Sequence, residues 1–544
     1  MTCRRLPGVR RSSSSRSAKP TRRSADLKVL IFHGYLLRGT GSNVYNASLA
    51  QALARLGHEV HLLCQDREAG AFPWVDRVGT WSDGDLRVEA VDGATEPDAA
   101  SVTAYVPDIG GLLPVYVYDE YEGFEVKTFA DLDDAELDRY LAANVGAVRD
   151  VVAVSGGIDA ALANHLVMGP AILARSGISF AAKIHGSALE FTVRPDPERF
   201  LPYARPGIDA AGGVLVGSRH TAEILWETLA DPALPARTRL GPPGVDTTLF
   251  VPAEADRAVA EVRAFADELS ARTGAGAWGE DATGAAAALR GWADADGPRA
   301  AFVGKLIGSK GLDLLLAAWP LVVRANPGAR LVIIAFGEGR HVIDSLLEAL
   351  DSGDLARARG VAAAGMVTAG AQFLPLRFLD SFLADPPPGY AEAAVAAAGS
   401  VALAGRLEHD EVARVLPAAD ALVFPSTFPE AFGMVAAEAA ACGVLPVSAD
   451  HSGAREVSRA LAPALPPDAR PLLSFPVDEG AVAAIADRLN RWLALDPAIR
   501  AATGEALTAT ARELWSWESV ASGVIAASAG RLDELPAVPG DARQ

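Results

Sequence analysis

At 544 residues the chain is longer than one ordinary core requires, so two domains are expected. Half of it is hydrophobic and 22% is charged, which excludes general disorder. The net charge of −19 excludes broad nucleic-acid binding, so any anionic ligand must be met by a few local cations.

Residues 1–25 carry eight Lys/Arg and no acid, including Arg4, Arg5, Arg10 and Arg11 around a serine run. No apolar segment of signal-peptide length follows. These residues read as a disordered basic tail or a start site placed too early, with contact to a membrane surface as the lesser reading. No run of 18 apolar residues is present, so no spanning helix is expected. Cys3, Cys64 and Cys442 are scattered and lack metal spacing, which suits a reducing cytoplasm.

From Leu27 a βαβ opening is legible. LKVLIF reads as a buried strand, HGYLLRGTGS as a loop, Asn43 to Leu56 as a helix stopped by Gly57, and HEVHLLC as the next strand. Such an opening implies a parallel sheet covered on both faces. The alternation continues to about residue 230, interrupted by the polar, aromatic Tyr118 to Thr128; Asp134 to Val154 reads as helix. Residues 26–240 therefore form a first domain.

The turn-rich GPPGVDTTLFVP at 241–252 reads as an inter-domain crossing. A second βα series occupies 241–510, with strands near 300–303, 330–335, 400–404, 421–424 and 444–447. Ala- and Gly-rich stretches at 253–298 and 352–398 read as insertions. Helices are expected near 479–494 and 504–527, with 511–530 returning to the first domain and 531–544 as a loose tail. The predicted class is thus α/β, two Rossmann-like doubly wound domains facing across a cleft. Ligands in such sheets sit at the carboxyl ends of the strands.

Each candidate loop follows a predicted strand. Gly39-Thr40-Gly41-Ser42 lets backbone amides approach a phosphate at a helix start. Val44 stands where a dinucleotide fingerprint needs its third glycine, so a dehydrogenase with Asp66 on a ribose ranks below a transferase. His185, in Lys183-Ile184-His185-Gly186, closes an apolar strand at the cleft; His165 is a lesser candidate of the same kind. Lys305 and Lys310 lie five residues apart in a Gly-flanked loop and can bring two charges to a diphosphate. Gly337-Glu338-Gly339 and Gly405-Arg406 close the next strands.

FPSTFPEAFGMVAAEAAACGVLPV, from Phe424 to Val447, carries Glu430 and Glu438 eight residues apart. Read along a helix axis the two are roughly 12 Å apart, too far to flank one bond but suited to a long ligand. Amides at Phe432, Gly433, Met434 and Val435 would form an anion site at the helix mouth. The Asp294/Asp296 pair, in low-complexity sequence, is taken as chance, and no metal site is expected.

In order along 27–525, these segments resemble the retaining nucleotide-sugar glycosyltransferases of family 4, which have the GT-B fold. The glycine loop, Gly57-His58-Glu59-Val60, His185-Gly186, Pro243-Gly244-Val245-Asp246 with Phe250 and Pro252, Gly304-Lys305-Leu306 with Lys310-Gly311, the Glu430/Glu438 spacing and Trp517-Glu518 carry the resemblance. It implies that Lys305 and Lys310 neutralise the donor diphosphate, Glu438 holds the ribose, and Glu430 holds the sugar hydroxyls. It also implies that His185 faces the sugar and that Gly39 to Ser42 close over the diphosphate. The donor is then a substrate, and neither cofactor nor metal is required. Lys305 replaces the family's arginine and Pro243 its asparagine. The acceptor is unspecified and expected on the first domain, with 118–128 a candidate for part of its site. A GT-B epimerase and a non-catalytic nucleotide-sugar binding protein are the alternatives.

Overall fold

The computed structural model describes residues 27–91, 100–118, 121, 123–272, 281–368 and 372–540. The expected basic tail and residues 541–544 lie outside these, as do parts of the 118–128 segment and of both expected insertions.

The N-terminal half is built on nine strands. They are β1 Lys28–Phe32, β2 Glu59–Leu63, β3 Arg77–Ser82, β4 Asp85–Ala90, β5 Val102–Val106, and, after a separate parallel pair of β6 Leu112–Val115 with β7 Glu125–Thr128, β8 Ala160–Asn164, β9 Ala181–Ile184, β10 Gly213–Val216 and β11 Thr238–Leu240. Their order is β11-β10-β9-β8-β1-β2-β5-β3-β4. Every pairing is parallel except the β3/β4 hairpin at one edge. The central strands KVLIF and AALAN are almost wholly buried, as a sheet covered on both faces demands. The order reverses at β1, which places the first glycine loop at the switch point.

The C-terminal half holds β12 Arg299–Lys305, β13 Arg330–Phe336, a short antiparallel pair of β14 Met366–Val367 with β15 Phe373–Leu374, β16 Val401–Gly405, β17 Ala421–Phe424, β18 Leu445–Ala449 and β19 Ser474–Phe475. Its parallel sheet runs β16-β13-β12-β17-β18-β19.

Two sequence expectations are sharpened and two are corrected. The described part of 253–298, read as an insertion, is packed: helices Ala255–Ala271 and Ala282–Ala293 lie on each other, and the second also packs on β16. Trp292 is fully buried there, and its Nε1 donates to the Ala300 carbonyl. The helical patterning of this stretch is weak in the sequence because alanine supplies helix propensity and core contact together. The described part of 352–398 likewise forms helices Leu355–Ala364, Arg377–Ala384 and Tyr390–Ala396, which pack on their neighbours. The single helix expected near 504–527 is two, Pro497–Leu514 and Trp517–Ser528, broken at Trp515-Ser516. Residues 531–540 are tied to β11: Leu240 donates its amide to Pro536, and Arg239 pairs with Ala537.

The chain passes between the halves twice, and the passages run together. Val245 donates its amide to the Trp515 carbonyl at 2.7 Å and bridges to Ser516. Gly244 permits this contact, because a Cβ there would stand 2.5 Å from the Trp517 ring. Helix Trp517–Ser528 then packs against helix Gly41–Arg55 and β8, with Trp517 in the N-terminal core.

Candidate active site

A cleft of about 930 Å³ lies between the halves, walled by strand ends of both sheets. From the C-terminal side come Lys305 at the end of β12, Lys310 in the loop after it, Arg406 after β16, and Glu430 and Glu438 after β17. From the N-terminal side come the Gly39–Ser42 loop after β1, His165 after β8 and His185 after β9.

The Lys310 loop is held close by Gly311. That residue has φ +65°, and a Cβ on it would lie 2.0 Å from the Pro425 carbonyl oxygen, so only glycine lets the loop lie against the end of β17. Thr427 donates its amide to the Ser309 carbonyl, and Ser426 Oγ lies 3.0 Å from the same oxygen. The two loops are therefore one unit. Lys310 Nζ stands 2.6 Å from Glu430 Oε1, and the Ser426 hydroxyl donates to the same oxygen at 2.5 Å. The Glu430 amide donates to Ser452 Oγ, and its carbonyl accepts from the Gly453 amide. Glu430 is held by its backbone, before the helix rather than within it.

That helix, Met434–Ala441, starts after Gly433. Its first intrahelical donors are Ala436 and Ala437, which leaves the amides at its mouth directed at the cleft. The helical ruler applied across Glu430 and Glu438 is corrected accordingly, since residues 430–433 are not helical. Glu438 lies one turn inside, 4% exposed, and accepts from His409 Nε2 at 2.8 Å. Burial opposes a charge on His409, but Glu438, with Asp410 and Asp246 beyond it, outweighs burial and lifts its pKa above the ordinary imidazole value.

Lys305 and Arg406 flank one ring: Lys305 Nζ is 5.6 Å and the Arg406 guanidinium carbon 5.2 Å from the Phe336 centroid. Arg406 also donates to Glu408, and it reaches the opposite domain, where a Cβ on Gly39 would lie 3.3 Å from its Nη2. Gly41 approaches Met434 in the same way, at 3.6 Å from the sulfur.

The expected residues thus gather, with three qualifications. Gly405 turns the chain but does not line the cleft, whereas Arg406 does. The Phe432 ring is buried against Trp515, 5.6 Å between centroids, so only its backbone is placed for a ligand. Gly337 to Gly339 also lie off the lining; Phe336 stands there instead. Val117 and Tyr121 line the cleft within and beside the 118–128 segment.

His185 sits beside Tyr45 and donates from Nε2 to Asn164 Oδ1 at 2.7 Å. Burial, then His165, Lys183 and His33, holds its pKa well below the imidazole range, so the ring is neutral. Lys183, wholly buried beneath it, is lowered by burial to about 7 and donates to the Gly241 carbonyl. His165 is 2% exposed and has φ +67°, and among the described residues neither of its ring nitrogens has a hydrogen-bond partner. Asp66 accepts the Leu37 amide and so braces the glycine loop from behind, which accounts for it without a ribose.

Ser426, Ser452, Phe336 and His409 were not singled out from the sequence. Ser426 and Ser452 act on Glu430 through local loop geometry. Ser426 lies within the Phe424–Val447 stretch, Phe336 adjoins Gly337 and His409 follows Arg406 by three residues, but no local pattern marked any of them as part of the site.

The fold and this cleft define the class: two facing Rossmann-like domains of the GT-B fold. Sucrose-phosphate synthase from Thermosynechococcus elongatus superposes with TM-score 0.55 at 18% identity, covering 93% of this chain and 98% of that one. The catalytic domain of starch synthase IV from Arabidopsis thaliana, bound to ADP and acarbose, gives 0.54 at 14%, covering 94% and 100%. Anabaena HepE in complex with UDP-glucose gives 0.50 at 16%, covering 94% and 100%. In sequence, residues 393–508 match the family model described as glycosyl transferases group 1. A D-inositol 3-phosphate glycosyltransferase of Segniliparus rotundus is 29% identical over 231 residues, 42% of this chain; the match spans 38% of that relative's length.

Proposed function

We propose that the chain is a retaining glycosyltransferase of the family 4 type that moves a sugar from a nucleotide-diphosphate donor to a hydroxyl acceptor. The observation that carries this reading is the convergence of Lys305, Lys310, Glu430 and Glu438 on one cleft, opposite His185 and the Gly39–Ser42 loop. An acidic chain that gathers two lysines at strand ends beside a helix mouth is built to meet a diphosphate.

In this reading Lys305, Lys310 and the helix-mouth amides hold the diphosphate, Glu438 the ribose, Glu430 the sugar hydroxyls, and His185 the far side of the sugar. The bond from the anomeric carbon to the phosphate oxygen breaks, and its electron pair goes to the diphosphate. The acceptor oxygen bonds to the same carbon, and its proton passes to the departing phosphate. Charge grows where the fixed cations already point, which is how such a site lowers the barrier. Because these lysines supply the positive charge, the reading calls for neither metal nor cofactor. The likeness to proteins solved with ADP or UDP-glucose supports a nucleotide-sugar donor.

The test is a thermal-shift screen against UDP-, ADP- and GDP-sugars, followed by transfer assays and determination of the product's anomeric configuration. A donor that raises Tm and is hydrolysed or transferred with retention is expected. Release of an epimerised donor without transfer, or binding without turnover, would replace this reading with one of its alternatives.

A further inference from the structure

Behind His185 runs an unbroken chain of buried polar side chains. His185 Nε2 meets Asn164 Oδ1 at 2.7 Å; Asn164 Nδ2 meets Asn46 Oδ1 at 2.8 Å; Asn46 Nδ2 meets His33 Nδ1 at 3.0 Å; His33 Nε2 meets Asn43 Oδ1 at 3.0 Å; and Asn43 Nδ2 meets the Arg38 carbonyl at 2.6 Å. Asn43, Asn46, Asn164 and His33 are each at most 3% exposed.

The direction of every bond in this chain is fixed by backbone carbonyls, which can only accept. Asn164 Nδ2 faces the Phe32 carbonyl at 3.0 Å, so it is the amide nitrogen, and Oδ1 is the atom turned to His185. Asn46 Nδ2 faces the Ser42 carbonyl at 2.8 Å, so Asn46 donates to His33 Nδ1. His33 Nε2 faces the Leu36 carbonyl at 3.0 Å, so its proton is on Nε2. Each assignment agrees with the next, and none leaves two donors or two acceptors facing each other.

We infer that Asn164, Asn46, His33 and Asn43 are positioning residues that lock His185 in the Nε2–H tautomer, so that its bare Nδ1 accepts a hydrogen bond from a donor-sugar hydroxyl. The opposite tautomer would set a lone pair of Nε2 against Asn164 Oδ1 and leave two buried acceptors facing each other, so the bare Nε2 form is a small minority. The same chain ends on the Arg38 and Ser42 carbonyls, which flank the glycine loop. The loop that would cover the diphosphate and the ring that would meet the sugar are therefore set by one network. The specificity that follows is for a sugar carrying a free hydroxyl at that position, since a bare imidazole nitrogen cannot donate to an ether or a deoxy carbon. This role for His185 rests on the proposed function; its tautomer does not.

The full-length protein labelled with ¹⁵N at its histidine rings tests the tautomer directly, with His185 assigned through His185→Gln. The expected spectrum has a protonated Nε2 and a bare Nδ1 for His185, unchanged from pH 6 to 8. A protonated Nδ1, or an imidazolium in that range, would overturn the inference whatever the enzyme's activity. Asn164→Leu removes the acceptor that faces His185 Nε2. It should let both tautomers of His185 appear and raise KM for the bound nucleotide sugar by about tenfold, whereas a change in Tm alone, with the wild-type tautomer kept, would assign the network to packing. If the tautomer stands and no nucleotide sugar is turned over, the proposed function fails and the positioning network does not.

Discussion

Lys310 Nζ and Glu430 Oε1 stand 2.6 Å apart, so the cation and the carboxylate that the sequence separates by 120 residues satisfy each other in the free protein. A diphosphate arriving at Lys310 competes with Glu430 for the same ammonium. A carboxylate released from that pair is free to accept from sugar hydroxyls, so the pair couples the two grips on a donor.

Glu430→Gln keeps an acceptor for the Ser426 hydroxyl but removes the competing charge. The nucleoside diphosphate that gives the largest thermal shift should then bind about 2–5-fold more tightly, the scale of a part-exposed ion pair. Turnover should fall by about 10²–10³-fold as the sugar contact is lost. Calorimetric titration and initial rates check both; wild-type values for each would remove Glu430 and Lys310 from the site.

Lys310→Ala should act in the opposite sense on binding. The diphosphate loses a cation, and its Kd should rise by about tenfold or more, on the scale of a hydrogen bond to a charged group. An unchanged Kd would leave Lys305 and the helix-mouth amides to hold the diphosphate without it.

The His409–Glu438 pair gives a pH signature. The folded pKa of His409 is raised above its ordinary 6.5, so the folded state holds its proton more tightly than the unfolded state. That stabilisation is complete below pH 6.5 and fades as pH rises through the folded value. The Tm of His409→Gln should therefore approach that of the wild type above this window and fall below it by about 2–4 °C at pH 6. Parallel Tm profiles from pH 6 to 8.5 would show that the pair does not titrate with folding.

Gly244→Ala presses a methyl group into the Trp517 ring and should destabilise by about 1–3 kcal/mol. Gly291→Ala is the control: a Cβ there meets nothing within 4 Å on a helix, and it should be neutral or stabilising by about 0.5–1 kcal/mol. Denaturant melts distinguish them, and equal effects would refute the close approach.

The parallel sheets were legible because their strands are short, continuous apolar runs followed by glycine loops; KVLIF, RLVIIAF and ALVF are each flanked as the alternation requires. Loops after those strands could be placed at the cleft for the same reason. Alanine-rich helices were not legible as packed elements, since Ala285, Ala286 and Ala293 are buried without any apolar contrast in the sequence. The pairing of Lys310 with Glu430 was equally invisible: it depends on Gly311 bringing the two loops together, a contact between β12 and β17 that no local pattern encodes. His409 escaped because its partner lies 29 residues on, inside a helix.

The paired passages at Val245 and Trp515 set the mechanics of the cleft. Two polypeptide links bound side by side act as one hinge, whereas two links far apart would lock the halves. The halves also meet away from these passages: the Phe191 and Phe428 rings stack 5.5 Å apart across the gap, and the Arg219 and His220 amides donate to Glu456. Opening of the cleft about the paired passages must therefore part that ring stack and those hydrogen bonds, and a probe pair placed at Phe191 and Phe428 would report it.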